Sequence, residues 1–131
     1  MSPMKKILVV DDDNASIDTL VDYLIDHKFE VDWALTPKDA INHLHQKKYH
    51  LIILDIMMNN DVESFEGVLG INTGISLYTY IRKQDPEIPI LVYTARGDLF
   101  DYFHSEPNVI LKRKPLEFQD LKKIIDNQLD K

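Results

Sequence analysis

Leu51-Ile52-Ile53-Leu54-Asp55 is the stretch on which the fold turns. Four apolar residues in a row suit a strand buried on both faces and are too few for a helix. The run stops on a carboxylate, so Asp55 is expected to emerge at the strand's end rather than lie inside the sheet. In open α/β sheets the carboxyl ends of parallel strands are where ligands bind. The flanking sequence decides whether Asp55 has partners there.

Upstream, Ile7-Leu8-Val9-Val10 repeats the pattern and runs into Asp11, Asp12 and Asp13. Ile17, Leu20, Val21, Leu24 and Ile25 then fall on one helical face, with Asp13 or Asn14 available as the cap. Phe29 to Ala34 reads as a strand. Thr36-Pro37-Lys38-Asp39 supplies a capping hydroxyl, a proline at the first helical position and an acid in the first turn. Ala40, Ile41 and Leu44 give that helix its apolar stripe.

Downstream, residues from about Met58 to Thr73 contain glycine and asparagine breaks and no clean period. Ile75, Tyr78 and Ile81 restore helical spacing, with an end expected near Asp85-Pro86. Ile88 to Tyr93 is a strand running into Thr94, and residues 98–105 allow a short helix. Val109 to Leu111 is a last strand, broken at Lys114-Pro115. Phe118, Leu121, Ile124, Ile125 and Leu129 describe a terminal amphipathic helix. Strand and helix thus alternate five times, which implies right-handed crossovers and a parallel sheet covered on both faces. In a 2-1-3-4-5 strand order the point where that order reverses lies between the first and third strands, the two that end in Asp11-Asp12-Asp13 and Asp55.

The bulk composition is that of an ordinary globule. At 131 residues one domain is expected, spanning 1–131 with a core of about 5–129, and 44% of its residues are hydrophobic. A formal charge of −7, from 15 Lys+Arg against 22 Asp+Glu, argues against nucleic-acid contact by this domain. The absence of cysteine excludes disulfides and thiol chemistry and accords with a cytoplasmic setting. No segment approaches a membrane span or a signal peptide's apolar core.

Several carboxylates gathered at one sheet edge need a cation or raised pKa values, since two charges about 4 Å apart repel by roughly 4 kcal/mol at an effective dielectric near 20. An all-oxygen donor set points to a hard ion, and Mg²⁺ suits a site that offers one or two carboxylates and keeps positions for water and a phosphoryl group. One aspartate can then attack phosphorus while its neighbours hold the charge. Thr94 can donate to a phosphoryl oxygen and Lys114 can pair with its charge. Taken singly, each of these residues has a plainer reading: a helix cap, a strand-end hydroxyl, a surface lysine, a first loop residue. Their positions at the ends of four parallel strands favour the joint one.

ILVVDDD, LIILDIMM, YTA and KP, in that order and spacing, resemble the CheY-like receiver domain of two-component response regulators. The resemblance runs from about Lys5 to Leu129 and implies a flavodoxin-like (βα)5 fold. It implies that Asp55 is the phosphoacceptor, taking a phosphoryl group from a sensor histidine kinase or phosphotransfer protein. By the same resemblance Asp12, Asp55 and the backbone carbonyl of Met57 ligate Mg²⁺, and Asp11 acts largely through water. Thr94 and Lys114 match the hydroxyl and lysine that hold the phosphoryl oxygens. The Lys114-Pro115 bond is expected to be cis, and Met57 and Arg96 occupy positions that tune phosphoryl lifetime. Such a domain acts by self-catalysed phosphorylation and dephosphorylation, not as an enzyme on a separate substrate. It signals through protein contacts with a downstream target, a further output domain or a second copy.

Three departures from the family stand out. The glycine that opens the third helix matches Gly74, nineteen residues after Asp55 instead of about eight, so the 59–73 loop is long, and Asn59 replaces the usual proline. Loops of that length are generally functional or disordered. The switch aromatic three residues before the lysine is Leu111; Tyr93, Tyr102 and Phe103 are candidate substitutes, with core packing the simpler role. Lys112 and Arg113 stand where an apolar strand end is expected, either snorkelling from an edge strand or forming a basic rim with Arg96. These departures keep open an alternative, a pseudo-receiver that binds partners without being phosphorylated. A Mg²⁺-dependent phosphohydrolase is disfavoured, because its second acid, two residues after the nucleophile, is Met57 here.

Overall fold

The computed structural model describes residues 4–57, 73–95, 97–103 and 106–130. Five strands, β1 (Lys6–Val10), β2 (Glu30–Ala34), β3 (Leu51–Leu54), β4 (Ile90–Thr94) and β5 (Val109–Arg113), form one parallel sheet in the order β2-β1-β3-β4-β5. Between them run α1 (Asn14–Asp26), α2 (Pro37–Gln46), α3 (Thr73–Gln84) and a 3-10 helix (Gly97–Phe103), and α4 (Phe118–Leu129) follows β5. This is the doubly wound parallel sheet that the alternation of apolar runs implies, in the flavodoxin-like form that the family resemblance implies. Its extended β3–α3 connection lies outside the described residues.

The two-residue period of each strand sorts side chains into two cores. Leu8, Val10, Ile52, Leu54, Ile90 and Val92 face α2 and α3, while Ile7, Val9, Leu51, Ile53, Leu91 and Tyr93 face α1 and α4. Covered on both sides, β3 is apolar at every position and β1 at every position after Lys6, which is why they read as unbroken runs.

Local signals set the helix starts. Asp13 caps α1, accepting from the Ala15 amide at 3.1 Å and the Ser16 hydroxyl at 3.0 Å, so of the two candidate caps the aspartate serves. Thr36 caps α2 by accepting from the Asp39 amide at 3.1 Å, with Pro37 just inside. Gly74 opens α3 against the residue after Asp55: a Cβ there would sit 2.3 Å from Ile56 Cα, so only glycine fits.

The strand ends differ from the sequence reading by a residue or two. β2 and β4 start later than Phe29 and Ile88, and the short helix takes the tighter 3-10 form. β5 runs past Leu111 because Lys112 and Arg113 pair with Tyr93 and Thr94; ladder bonds use backbone only, and an edge strand lets charged side chains reach water. Phe103 packs edge-on against Tyr78 at 4.9 Å between ring centres, a core role. The Tyr102 side chain lies outside the described residues. No helix among the described residues is long and apolar enough to cross a membrane.

Candidate functional site

Register brings the site together. Val10 pairs with Leu54, so Asp11 and Asp55 leave the sheet side by side at the point where the strand order reverses. The Asp55 amide donates to Val10 O at 2.9 Å and the Asp11 amide to Ala34 O at 3.1 Å, fixing both backbones. On the far side, Thr94 pairs with Arg113, and the Lys114 amide donates to Thr94 O at 2.8 Å. The lysine therefore starts next to β4 and reaches back across it.

Its ammonium lies between the two acids. Lys114 Nζ is 2.6 Å from Asp11 Oδ2 and 2.9 Å from Asp55 Oδ2. The remaining carboxylate oxygens are also held: Asp11 Oδ1 accepts the Asp13 amide at 3.0 Å and Asp55 Oδ1 the Met57 amide at 2.8 Å. Asp11 and Asp55 are 6% and 7% exposed, so neither charge is well solvated without this cation. Burial, the strongest influence, lifts the Asp11 carboxyl above the ordinary carboxylate range; Lys114 and the Asp13 amide pull it down and Asp55 pushes it up. Burial also works against the Lys114 charge, but Asp11 and Asp55 together hold its pKa above the usual lysine value.

Lys114 touches both Asp11 and Asp55, a contact beyond the phosphoryl pairing expected of it. Thr94 is wholly buried at the end of β4, the Met57 side chain is exposed beside its bonded amide, and the Lys114-Pro115 bond is cis. Asp12 stands half-buried at the rim. Asp13 lies outside the acid–lysine cluster: as one of the two expected caps of α1, its carboxylate serves the helix and faces solvent. Arg96 lies outside the described residues, as do residues 59–72 of the long loop and the basic rim drawn through Arg96. Leu111 is half-buried against the α2–α3 core, on the sheet face opposite Tyr93.

Among the described residues no three His, Asp or Glu side chains form a ready metal cage. Two buried carboxylates that already share one cation, with Asp12 at the rim, nonetheless fit a hard ion that takes only one or two carboxylates and keeps several waters.

Sequence reasoning did not foresee the role of Tyr93. Its ring lies 5.5 Å from Lys114 Nζ and its hydroxyl accepts the Leu116 amide at 2.9 Å. The available signal was a phenol at the end of an aliphatic strand, since a buried tyrosine needs a hydrogen-bond partner. A cavity of about 150 Å³ lies alongside, between the sheet and α1, with Tyr93, Asp11, Asp55 and Lys114 among its walls.

Comparison with known proteins agrees with this geometry. The family model described as "Response regulator receiver domain" matches residues 7–126. The transcriptional regulatory protein PhoP of Bacillus subtilis, which by its name serves alkaline phosphatase synthesis, is 34% identical over 98 residues, 74% of this chain and 36% of its own length. The chain spans less than two-fifths of the curated relatives it matches. Among solved structures, the response regulator TrrA of Thermotoga maritima, in complex with Mg²⁺-BeF, is 26% identical with a TM-score of 0.71, covering 96% of this chain and 100% of that one. The chemotaxis response regulator CheY4 of Vibrio cholerae shares the fold with a TM-score of 0.78 at 22% identity, covering 96% and 99%. With a family match that reaches from β1 into α4 and takes in every strand whose end contributes to the acid–lysine cluster, this chain belongs to the receiver domains of two-component response regulators.

Proposed function

We propose that Asp55 accepts a phosphoryl group from the phosphohistidine of a sensor kinase or phosphotransfer protein. The observation that carries this reading is the buried Asp55 carboxylate at the end of a central strand, fixed by the Met57 amide and sharing Lys114 with Asp11. A carboxylate oxygen of Asp55 forms the bond to phosphorus as the P–N bond to the donor imidazole breaks, and the imidazole nitrogen takes up a proton. Lys114 exchanges its contact with Asp55 for one with the phosphoryl oxygens, remaining beside the charge it balances. The Thr94 hydroxyl, on the neighbouring strand, donates to the same group.

Asp12, Asp55 and the Met57 carbonyl would hold Mg²⁺, with Asp11 acting through water. When bound, the ion supplies positive charge that offsets the phosphoryl oxygens. The domain turns over no separate substrate; it catalyses its own modification and its own hydrolysis. A cytoplasmic setting and output through a protein partner or a further domain complete the reading. The TrrA complex with Mg²⁺-BeF supports the ion's identity by likeness.

Incubation with acetyl phosphate and Mg²⁺, followed by intact-mass measurement, is expected to add one phosphoryl group to the wild type and none to Asp55→Asn. Addition that persists in Asp55→Asn overturns the assignment. The second reading, a pseudo-receiver, draws on Leu111 in place of an aromatic switch. A calorimetric titration showing no Mg²⁺ binding at millimolar concentrations would favour it.

A further inference from the structure

We propose that Tyr93 is a positioning residue for Lys114, its ring set against the ammonium and its hydroxyl tying down the Leu116 amide. Tyr93 is the last position of β4 to face the α1–α4 core, and its companions on that face, Val9, Ile53 and Leu91, are all aliphatic. It is 7% exposed, so its hydroxyl must be satisfied inside the protein. Both ends of the side chain meet the same three-residue segment. The ring lies 5.5 Å from Lys114 Nζ, within the reach of a cation–π contact, and the hydroxyl accepts the Leu116 N–H at 2.9 Å. The Lys114 amide is bonded to the next residue of β4, Thr94 O, at 2.8 Å. One strand end thus grips the segment at 114 and 116 and also flanks the ammonium.

The need follows from where the lysine sits. Asp11 and Asp55 hold Nζ, while the cavity that shares these walls is lined mainly by apolar side chains such as Val9, Ile17, Leu20 and Ile53, with Ser16 and Thr19 of α1 as polar exceptions. An aliphatic side chain at 93 would remove the aromatic face that lies 5.5 Å from the ammonium. An aromatic face presents the negative end of its quadrupole there. A lysine stem has four rotatable bonds, so a second contact narrows where its head can go. Tyr93 touches no reacting atom; it acts through Lys114. For phosphoryl uptake the inference rests on the phosphoacceptor reading, but its structural content does not.

The test uses full-length protein labelled with ¹⁵N-lysine and ¹⁵N-leucine. Tyr93→Leu removes ring and hydroxyl, Tyr93→Phe removes the hydroxyl alone, and Leu91→Ala removes apolar volume from the same face without touching the lysine. The Lys114 ammonium resonance is expected to move in Tyr93→Leu, with proton exchange faster by about two- to thirtyfold, and to stay in place in Leu91→Ala. In Tyr93→Phe the ammonium signal stays near the wild-type position while the Leu116 amide exchanges about two- to tenfold faster. A Lys114 signal in Tyr93→Leu indistinguishable from that in Leu91→Ala overturns the proposal. If Tyr93→Leu does not fold, an unchanged Leu116 amide in Tyr93→Phe overturns it instead. Phosphoryl uptake from acetyl phosphate should slow in Tyr93→Leu relative to Leu91→Ala. No uptake by the wild type would remove the phosphoacceptor reading and leave the two exchange measurements to judge Tyr93.

Discussion

The sheet has a cation at each end, and the two are used differently. At the carboxyl ends Lys114 touches two carboxylates, at 2.6 and 2.9 Å. At the amino ends of β4 and β5, Arg82 donates to four backbone carbonyls: Ile88 at 2.7 Å, Asn108 at 2.9 Å, and Asp85 and Pro107 at 3.2 Å. It also lies 5.6 Å from the Tyr78 ring centre, and the Tyr78 hydroxyl donates to Glu106 at 2.8 Å. A guanidinium is a rigid fork whose donors have fixed directions, so it suits carbonyls that never move. An ammonium is a compact charge on a jointed stem, so it suits partners whose charge is to change. On the phosphoacceptor reading, the amino end is built to stay still and the carboxyl end to respond.

Removing each cation should break that contrast in a distinct way. Lys114→Met leaves two buried carboxylates facing each other, and a loss of about 3–5 kcal/mol in urea unfolding without Mg²⁺ is expected. Adding Mg²⁺ should recover part of this, because the ion restores positive charge at the same carboxylates. A Lys114→Met protein as stable as the wild type would show that the pair is not needed to offset burial. Arg82→Lys keeps the charge but loses the fork, so about 1–3 kcal/mol is expected, with phosphoryl uptake unchanged. Recovery of full stability by lysine would mean that charge alone matters there.

A carboxylate at neither end sharpens the comparison at its weakest point. Asp32, on edge strand β2, accepts from the Tyr49 hydroxyl at 2.6 Å and pairs with Lys47 at 3.1 Å. Burial pushes its pKa up, but these two partners outweigh it and hold the value below the usual 3.8. A lowered folded-state pKa contributes stability above the unfolded value that is lost as pH falls through the folded one. Tyr49→Phe should therefore cost about 1 kcal/mol at neutral pH, and the gap to wild type should persist to about pH 4 and close below it. A gap that does not change with pH would mean that the tyrosine contributes packing alone.

Much of this was legible in the residues. Ile7–Val10 and Leu51–Leu54 read as doubly buried strands, and with the 2-1-3-4-5 order that the family resemblance implies, the meeting of Asp11 with Asp55 follows. Thr36-Pro37 marked a helix start because its chemistry is local. What stayed hidden depends on contacts far apart in the chain. Asp13 and Asn14 cap equally well on paper, and geometry chose the aspartate. β5 reaches Arg113 because β4 offers it a partner, which side-chain polarity alone does not reveal. Tyr93 reads as core until the segment after Lys114 folds back upon it.

The fit of Gly74 against Ile56 bears on how such a domain can diversify. Because α3 is seated against the residue following Asp55, its place in the fold is set by that seat and not by the count of residues between. The entropic cost of a longer connection grows only with the logarithm of its length, about 0.6 kcal/mol per doubling. Sequence can therefore be added, removed or exchanged between the two without moving either neighbour. On the phosphoacceptor reading, selection is free to rewrite the stretch beside Asp55 while Asp55 itself keeps its place.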